Sequence, residues 1–229
     1  MGSEDVYITG IDMIKFGKFP DRSIAALGAE SALGALDDAG VTINDIEALY
    51  SGNLMMAAGM VGQQIQQEIG QTGIPVVNCS NACATGATAL REGFIAIKAG
   101  IYDTVLAVGV EKLAGAGMLG GGGGSKGIHP EGLLGSGSMP CVFAEAGMAH
   151  AKDYGTTFEQ FAQIAVKNHH HSTMNPKARY QIETPLEEVM GAEMISYPNT
   201  KLMCSANVDG SAAAVLMSEK EMKKRGLQG

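Results

Sequence analysis

Of the four thiols in the chain, Cys83 stands where a thiolate would be most useful. It lies in Asn78-Cys79-Ser80-Asn81-Ala82-Cys83-Ala84-Thr85-Gly86-Ala87-Thr88-Ala89-Leu90, just after the apolar run Pro75-Val76-Val77. The pattern predicts a strand, a tight polar turn and a helix, with Cys83 in the first turn of the helix. Free backbone N–H groups and the positive end of the helix dipole make such a position favourable for a nucleophilic sulfur. The competing reading is a small apolar residue packed beneath a helix start.

Other residues with chemical capacity are placed less well. Gly115-x-Gly117-x-x-Gly120 follows a predicted strand but runs on into Gly121-Gly122-Gly123-Gly124, so no helix opens there to hold a pyrophosphate and a surface loop is expected. His169-His170-His171 point about 100° apart on a helix and read as a solvated helix end rather than metal ligands. The cysteines lack C-x-x-C spacing, so no metal site is predicted. There is no G-x-S-x-G elbow. The acid pairs Asp37-Asp38 and Glu187-Glu188 fall at helix ends, and the latter suits the dipole at a helix start.

The remaining composition narrows the class. A chain of 229 residues with 45% hydrophobic and 17% charged residues can bury a full core. A net charge of −8, with no basic cluster beyond Lys220-Glu221-Met222-Lys223-Lys224-Arg225, which reads as a solvated helix end, argues against nucleic-acid or anionic-membrane partners. No apolar run is long enough for a membrane span. Irregular cysteine spacing predicts free thiols in a reducing, cytoplasmic setting. With 32 glycines, 14 methionines and no tryptophan, the core must be aliphatic and closely approached by backbone, as where helices pack on a parallel sheet.

The elements that must position Cys83 follow from hydrophobic period. Strands are predicted over Val6 to Ile14, over Ile46 to Tyr50 (ended by Ser51-Gly52-Asn53), over Pro75 to Cys79 and over Thr104 to Val110. The continuous apolar character of the third predicts burial on both faces. Helices are predicted from Ser23 to Ala39, stopped by Gly40, and over Val61, Ile65 and Ile69, stopped by Gly70. A third follows Cys83, with Ala87, Leu90, Phe94 and Ile97 facing inward. The alternation implies βαβ units, whose ligands bind at the carboxyl ends of the strands. A glycine-rich excursion opens after Leu113. Helices resume from Ala144 to Tyr154, from a capping box Thr156-Thr157-Phe158-Glu159 with Phe158, Phe161 and Ala165 inward, and from Thr184-Pro185 with proline at the first helical position. A strand from Ala212 to Met217 and a helix from Glu219 to Arg225 close the sequence.

The Cys83 stretch, followed by Val105-Leu106-Ala107-Val108-Gly109-Val110-Glu111-Lys112, resembles the nucleophile region of the thiolase superfamily. Ala146-Gly147-Met148-Ala149-His150, Tyr154-Gly155-Thr156-Thr157, Ile164 to His169, Asn175-Pro176 and Asn207 to Val215 are similar to thiolases of the sterol-carrier-protein-2 type. The resemblance implies an α/β, thiolase-like N-terminal half of βαβαβαββ order, a mixed and mostly parallel five-stranded sheet with helices on both faces. Its divisions would be a core over 1–112, a loop domain over 113–205 and a last strand and helix over 206–229.

By the same resemblance, Cys83 is acylated during CoA-dependent cleavage of a 3-oxoacyl-CoA, or in the reverse condensation. CoA and acyl-CoA are substrates, and no bound cofactor or metal is implied. Phe143 would line the acyl pocket and Met55 or Met56 would reach a neighbouring subunit's site, with ordinary packing the alternative for each. A homodimer or dimer of dimers is implied, with Pro75 to Cys79 covered by its twin, and so is a possible zinc-ribbon and OB-fold companion protein. A complete thiolase has a second half that supplies a G-H-P histidine, another histidine and a C-x-G cysteine. None is matched here, since His129-Pro130-Glu131-Gly132 comes too early in chain order. The second half is therefore expected on a longer or separate chain, and this chain alone is expected not to turn over. The alternatives are a condensing enzyme of the β-ketoacyl-synthase type and a non-catalytic partner subunit.

Overall fold

A computed structural model describes residues 5–114 and 139–227. Among them are seven strands: β1 Val6–Met13, β2 Ala48–Gly52, β3 Val76–Cys79, β4 Thr104–Lys112, β5 Met194–Ser196, β6 Asn199–Thr200 and β7 Asp209–Ser218. The helices are α1 Ile24–Asp38, α2 Val61–Ile69, α3 Thr85–Lys98, α4 Met139–Tyr154, α5 Phe158–Met174, α6 Leu186–Gly191 and α7 Glu219–Lys224. The chain divides into two compact units, Met1–Lys112 with Asp209–Gly229, and Leu113–Val208.

The first unit is a five-stranded sheet of order β1-β7-β4-β2-β3. β2 is parallel to β3 and β4, while β7 runs antiparallel to both β4 and β1. Four strands therefore share one direction, the mixed sheet the family resemblance implied. α1 and α2 cover one face, where Leu27, Leu49, Ile65 and Leu106 are fully buried, each worth about 1.5–3 kcal/mol of transfer free energy. Ser23 caps α1 by accepting from the Ala26 N–H at 3.0 Å, and Gly40 ends it at φ +65°. α1 lies directly on β1 because position 10 is glycine; a Cβ there would collide with the Ala35 carbonyl and Ala39. α3 covers the other face over Tyr50, Val105 and Leu216.

Three expectations are corrected here. β3 is the outer strand, paired to β2 alone, and Val77 is 42% exposed. Its apolar run is only three residues long, and among the described residues no strand pairs with its other edge. The buried face of α3 is Thr85, Ala89, Gly93, Ala96 and Ile97, with Ala87 and Phe94 exposed. The helix sits so close to the sheet that small residues make the contact. Ser51 and Gly52, expected to end the second strand, belong to β2 and are buried.

In the second unit α5 packs on α6 around Ala162, Ala165 and Val189. α4 starts at Met139, five residues before the expected Ala144, and ends at Gly155 with φ +71°. The capping box of α5 is Thr157 with Gln160, one residue later than expected: the Thr157 N–H donates to Gln160 Oε1 at 2.9 Å. Phe158 and Phe161 are half-buried and Ala165 is buried. Pro185 is the cap of α6 rather than its first helical residue. No helix of the described residues is long and apolar enough to cross a membrane.

Candidate active site

The carboxyl ends of β2, β3 and β4 converge where α3 begins. The first helical residue is Thr85 and the cap is Ala84, so Cys83 stands one residue before the cap rather than in the first turn. The cause is a turn at Ala82, which holds a left-handed backbone at φ +46°. One hydroxyl ties this turn together. Thr85 Oγ1 accepts from the Asn81 N–H and donates to the Ala82 carbonyl, both at 2.7 Å. The Ala84 N–H reaches back to the Asn81 carbonyl at 2.9 Å, and Asn81 Nδ2 donates to Thr88 Oγ1 at 3.0 Å. The result is a rigid platform from which Cys83 is exposed.

Glycines seat this platform on the sheet. A Cβ at Gly52 of β2 would stand 2.8 Å from the Thr85 carbonyl oxygen, and one at Gly109 of β4 would stand 3.2 Å from the Gly86 Cα. Backbone thus touches backbone at the mouth of the site, which only glycine permits. The second cysteine of the motif is different in kind. Cys79 is half-buried among the residues under α3, and burial, with the Glu92 carboxylate adding, pushes its thiol above the ordinary cysteine value. It is a packing residue, whereas Cys83 offers an accessible sulfur.

Met55 and Met56 leave the same edge of the sheet. The Asn53 N–H donates to the Cys79 carbonyl at 3.2 Å, so their loop starts beside the strand that feeds the Cys83 turn. Both are about half exposed, at 54% and 45%. Phe143 lies in the second unit, on α4, and is 67% exposed. The structure thus brings Cys83 and the methionines to one edge of the first unit, while Phe143 belongs to the other.

Sequence reasoning missed three residues. Thr85 is buried in the Cys83 turn. Asn53, 4% exposed, donates from Nδ2 to the Val110 carbonyl at 2.9 Å and to Glu111 Oε1 at 3.0 Å. Glu111 Oε2 in turn accepts from the Leu54 and Met55 N–H groups. A signal within reach was the pairing of an asparagine just past one strand with an acid at the end of its parallel neighbour.

The histidine run is also corrected. His169 is not solvated; it is buried, with Nε2 at 3.0 Å from the Leu202 carbonyl oxygen and its ring beside Tyr180. His170 and His171 are exposed, and His170 meets Glu183 at 2.6 Å. Among the described residues no three His, Cys, Asp or Glu side chains form a metal cluster. Gly115 to Gly124 and His129-Pro130-Glu131-Gly132 lie outside the described residues. The five histidines of the chain, at 129, 150, 169, 170 and 171, all lie outside the unit that carries Cys83.

Comparison with known proteins agrees with this geometry. Residues 6–193 match the sequence profile of the thiolase N-terminal domain. The chain is 35% identical to an acetyl-CoA acetyltransferase of Methanothermobacter thermautotrophicus, over 93% of this chain and 56% of that protein. It is 35% identical to sterol carrier protein 2 of Gallus gallus, over 97% of this chain and 43% of that one. It therefore spans about half the length of these curated relatives. Among solved structures, an Ltp2-ChsH2(DUF35) aldolase superposes with a TM-score of 0.74 at 22% identity, over 95% of this chain and 56% of that one. The acetyl-CoA acetyltransferase from Syntrophomonas wolfei superposes with a TM-score of 0.69 at 20% identity, over 98% and 67%. With residues 6–193 matched by the family profile, the chain belongs to the thiolase family, by its N-terminal domain.

Proposed function

We propose that Cys83 is the acyl-carrying nucleophile of a thiolase-type acyltransferase that uses CoA thioesters. The observation that carries this is the exposed Cys83 on a turn fixed by Thr85 at the carboxyl edge of the sheet. In the cleavage direction the Cys83 thiolate adds to the 3-oxo carbonyl of a 3-oxoacyl-CoA, and the C2–C3 bond breaks. The shortened acyl group stays on sulfur, while the electron pair on C2 of the departing acetyl-CoA takes a proton. The thiol of CoA then gives its proton to a base and attacks the acyl thioester, and Cys83 leaves as thiolate. The Cys83 backbone N–H is the donor we assign to the acyl oxyanion.

The proton transfers need a base for Cys83 and an acid for C2. The Cys83 unit has no histidine, so we assign these groups to residues outside 1–112 and 209–229. The exposed edge of β3, with Val77 at 42% exposure, suits coverage by a second copy. A companion of the DUF35 kind, like the one paired with Ltp2 in the aldolase neighbour, and a reducing compartment that keeps the four cysteines free complete the reading.

The test is to incubate the complete native assembly with acetyl-CoA and record intact masses, with Cys83→Ser beside the parent. We expect one acetyl adduct per protomer in the parent and none in the variant, and a native mass that is a multiple of two protomers. An adduct that persists in Cys83→Ser, or a folded parent that never acquires one, ends this assignment.

A further inference from the structure

We propose that Glu111 is a positioning residue that holds the segment Leu54 to Met56 as a fixed apolar rim for the acyl chain carried on Cys83. The inference rests on the acyl-carrier reading above and adds what sets acyl-chain preference. The segment after β2 is unusual in what it displays. Leu54, Met55, Met56 and Met60 are all exposed, at 39–59%, and leaving four large apolar side chains in water is unfavourable for a loop with no further purpose.

The same segment is anchored by polar groups beyond the needs of chain reversal. Glu111, near the end of β4, accepts from the Leu54 N–H at 2.9 Å and the Met55 N–H at 3.2 Å through one oxygen. Its other oxygen accepts from Asn53 Nδ2 at 3.0 Å and the Lys112 N–H at 3.3 Å. Asn53 spends both ends of its amide on the same clamp, since its Oδ1 accepts from the Met56 N–H at 2.7 Å. Hydrogen bonds from backbone N–H groups to a carboxylate are stronger than neutral ones. Three consecutive backbone N–H groups, of Leu54, Met55 and Met56, are thereby fixed while their side chains stay outside.

Location supplies the ligand. Gly52 of β2 pairs with Cys79 of β3, and a Cβ at Gly52 would touch the Thr85 carbonyl, two residues past Cys83. The rim therefore rises from the strand against which the Cys83 turn is seated. An acyl chain esterified to Cys83 is the apolar ligand the carboxyl edge of this sheet would meet, and a preordered rim contacts it without first losing loop entropy.

The experiment compares Glu111→Gln, Glu111→Asp and the double variant Met55→Ala/Met56→Ala with the parent in the complete assembly. Three quantities are read: the rates of Cys83 acylation by acetyl-CoA and octanoyl-CoA, alkylation of Cys83 by iodoacetamide, and amide hydrogen exchange at Leu54 and Met55. Glutamine turns one acceptor into a donor facing N–H groups. We expect faster exchange at both amides, unchanged alkylation, and an octanoyl-to-acetyl rate ratio shifted by about tenfold, the scale of one methylene in an apolar pocket. Glu111→Asp should recover part of the protection and of the ratio. An unchanged ratio in Glu111→Gln despite faster exchange overturns the proposal. If that variant does not fold, the methionine pair decides, because the clamp uses their main chain only; an unchanged ratio there is equally fatal. A parent that forms no adduct at Cys83 would sink the acyl-carrier reading instead, which the exchange and alkylation data keep separate from the clamp.

Discussion

Ala82 is one of two non-glycine residues among those described with a left-handed backbone, a conformation that costs roughly 1–2 kcal/mol for a residue bearing Cβ. It stands next to Cys83, and the Thr85 hydroxyl offsets the strain by bonding on both sides of it. Thr85→Val keeps the side-chain shape but leaves the Asn81 N–H without its partner and the Ala82 carbonyl with the Thr85 backbone N–H alone. We expect a loss of about 1–3 kcal/mol in unfolding free energy, seen as a lower urea midpoint at unchanged slope. Cys83 acylation should slow as the turn samples other conformations. Thr85→Ser, which keeps the hydroxyl, should recover both quantities. Equal midpoints and equal adduct rates for Val and the parent would show that the turn holds itself.

At the scale of elements the question is how α3 is kept on the sheet. Gly52→Ala would drive a methyl to 2.8 Å from the Thr85 carbonyl oxygen. Since the obstacle is backbone, α3 must shift, at a cost of about 1–3 kcal/mol, as for other overpacked sites. A lower melting temperature together with slower alkylation of Cys83 is expected; a lower melting temperature with normal alkylation would mean that the helix moves without carrying the turn. The close seat also explains what could be read from sequence and what could not. The alternation of strands and helices around Cys83 was legible, because apolar period separates the two. The inward face of α3 was legible only in part, because period points to the large apolar side chains: Ile97 and Leu90 do pack on the sheet and Phe94 does not, and a helix this near a sheet also buries Ala89, Gly93 and Ala96. The capping box was ambiguous for a similar reason: Thr156-x-x-Glu159 and Thr157-x-x-Gln160 both fit, and only the backbone chooses. His169 continues the buried stripe of Ala162 and Ala165, a pattern hidden by its two polar neighbours. The Asn53–Glu111 clamp joins residues 58 apart and has no periodic trace at all.

At the scale of the whole first unit, closure depends on the last segment of the chain, because β7 inserts between β1 and β4 and α7 follows it. Three carboxylates anchor that segment. Asp103 accepts from Ser218 Oγ at 2.7 Å and meets Lys220 at 3.1 Å, and the Ser218 bond chiefly lowers its pKa. Glu221 meets Lys224 at 3.0 Å and Arg225 at 2.8 Å; the Lys224 bond is the main cause of its lowered pKa. Asp45 accepts from the Thr42 backbone at 2.8 Å and from Arg225 at 3.1 Å, and its pKa too is lowered, chiefly by the backbone bond. A carboxyl whose pKa is lower folded than unfolded binds fewer protons in the native state, so its contribution is complete above the unfolded value and fades as pH falls toward the folded one. With unfolded values of about 3.9 for Asp and 4.3 for Glu, urea midpoints should be flat near neutrality and fall from about pH 5 downward. Ammonium and guanidinium groups in general do not titrate in this window, so the slope is set by carboxyls. The variant Asp45→Asn/Asp103→Asn/Glu221→Gln should be less stable than the parent at pH 7 and should lose less on acidification, so that the two curves converge toward pH 3. Parallel curves over that range would mean that these ion pairs, several of them half exposed, contribute no more than ordinary surface pairs do, and that the acid lability of the unit arises elsewhere.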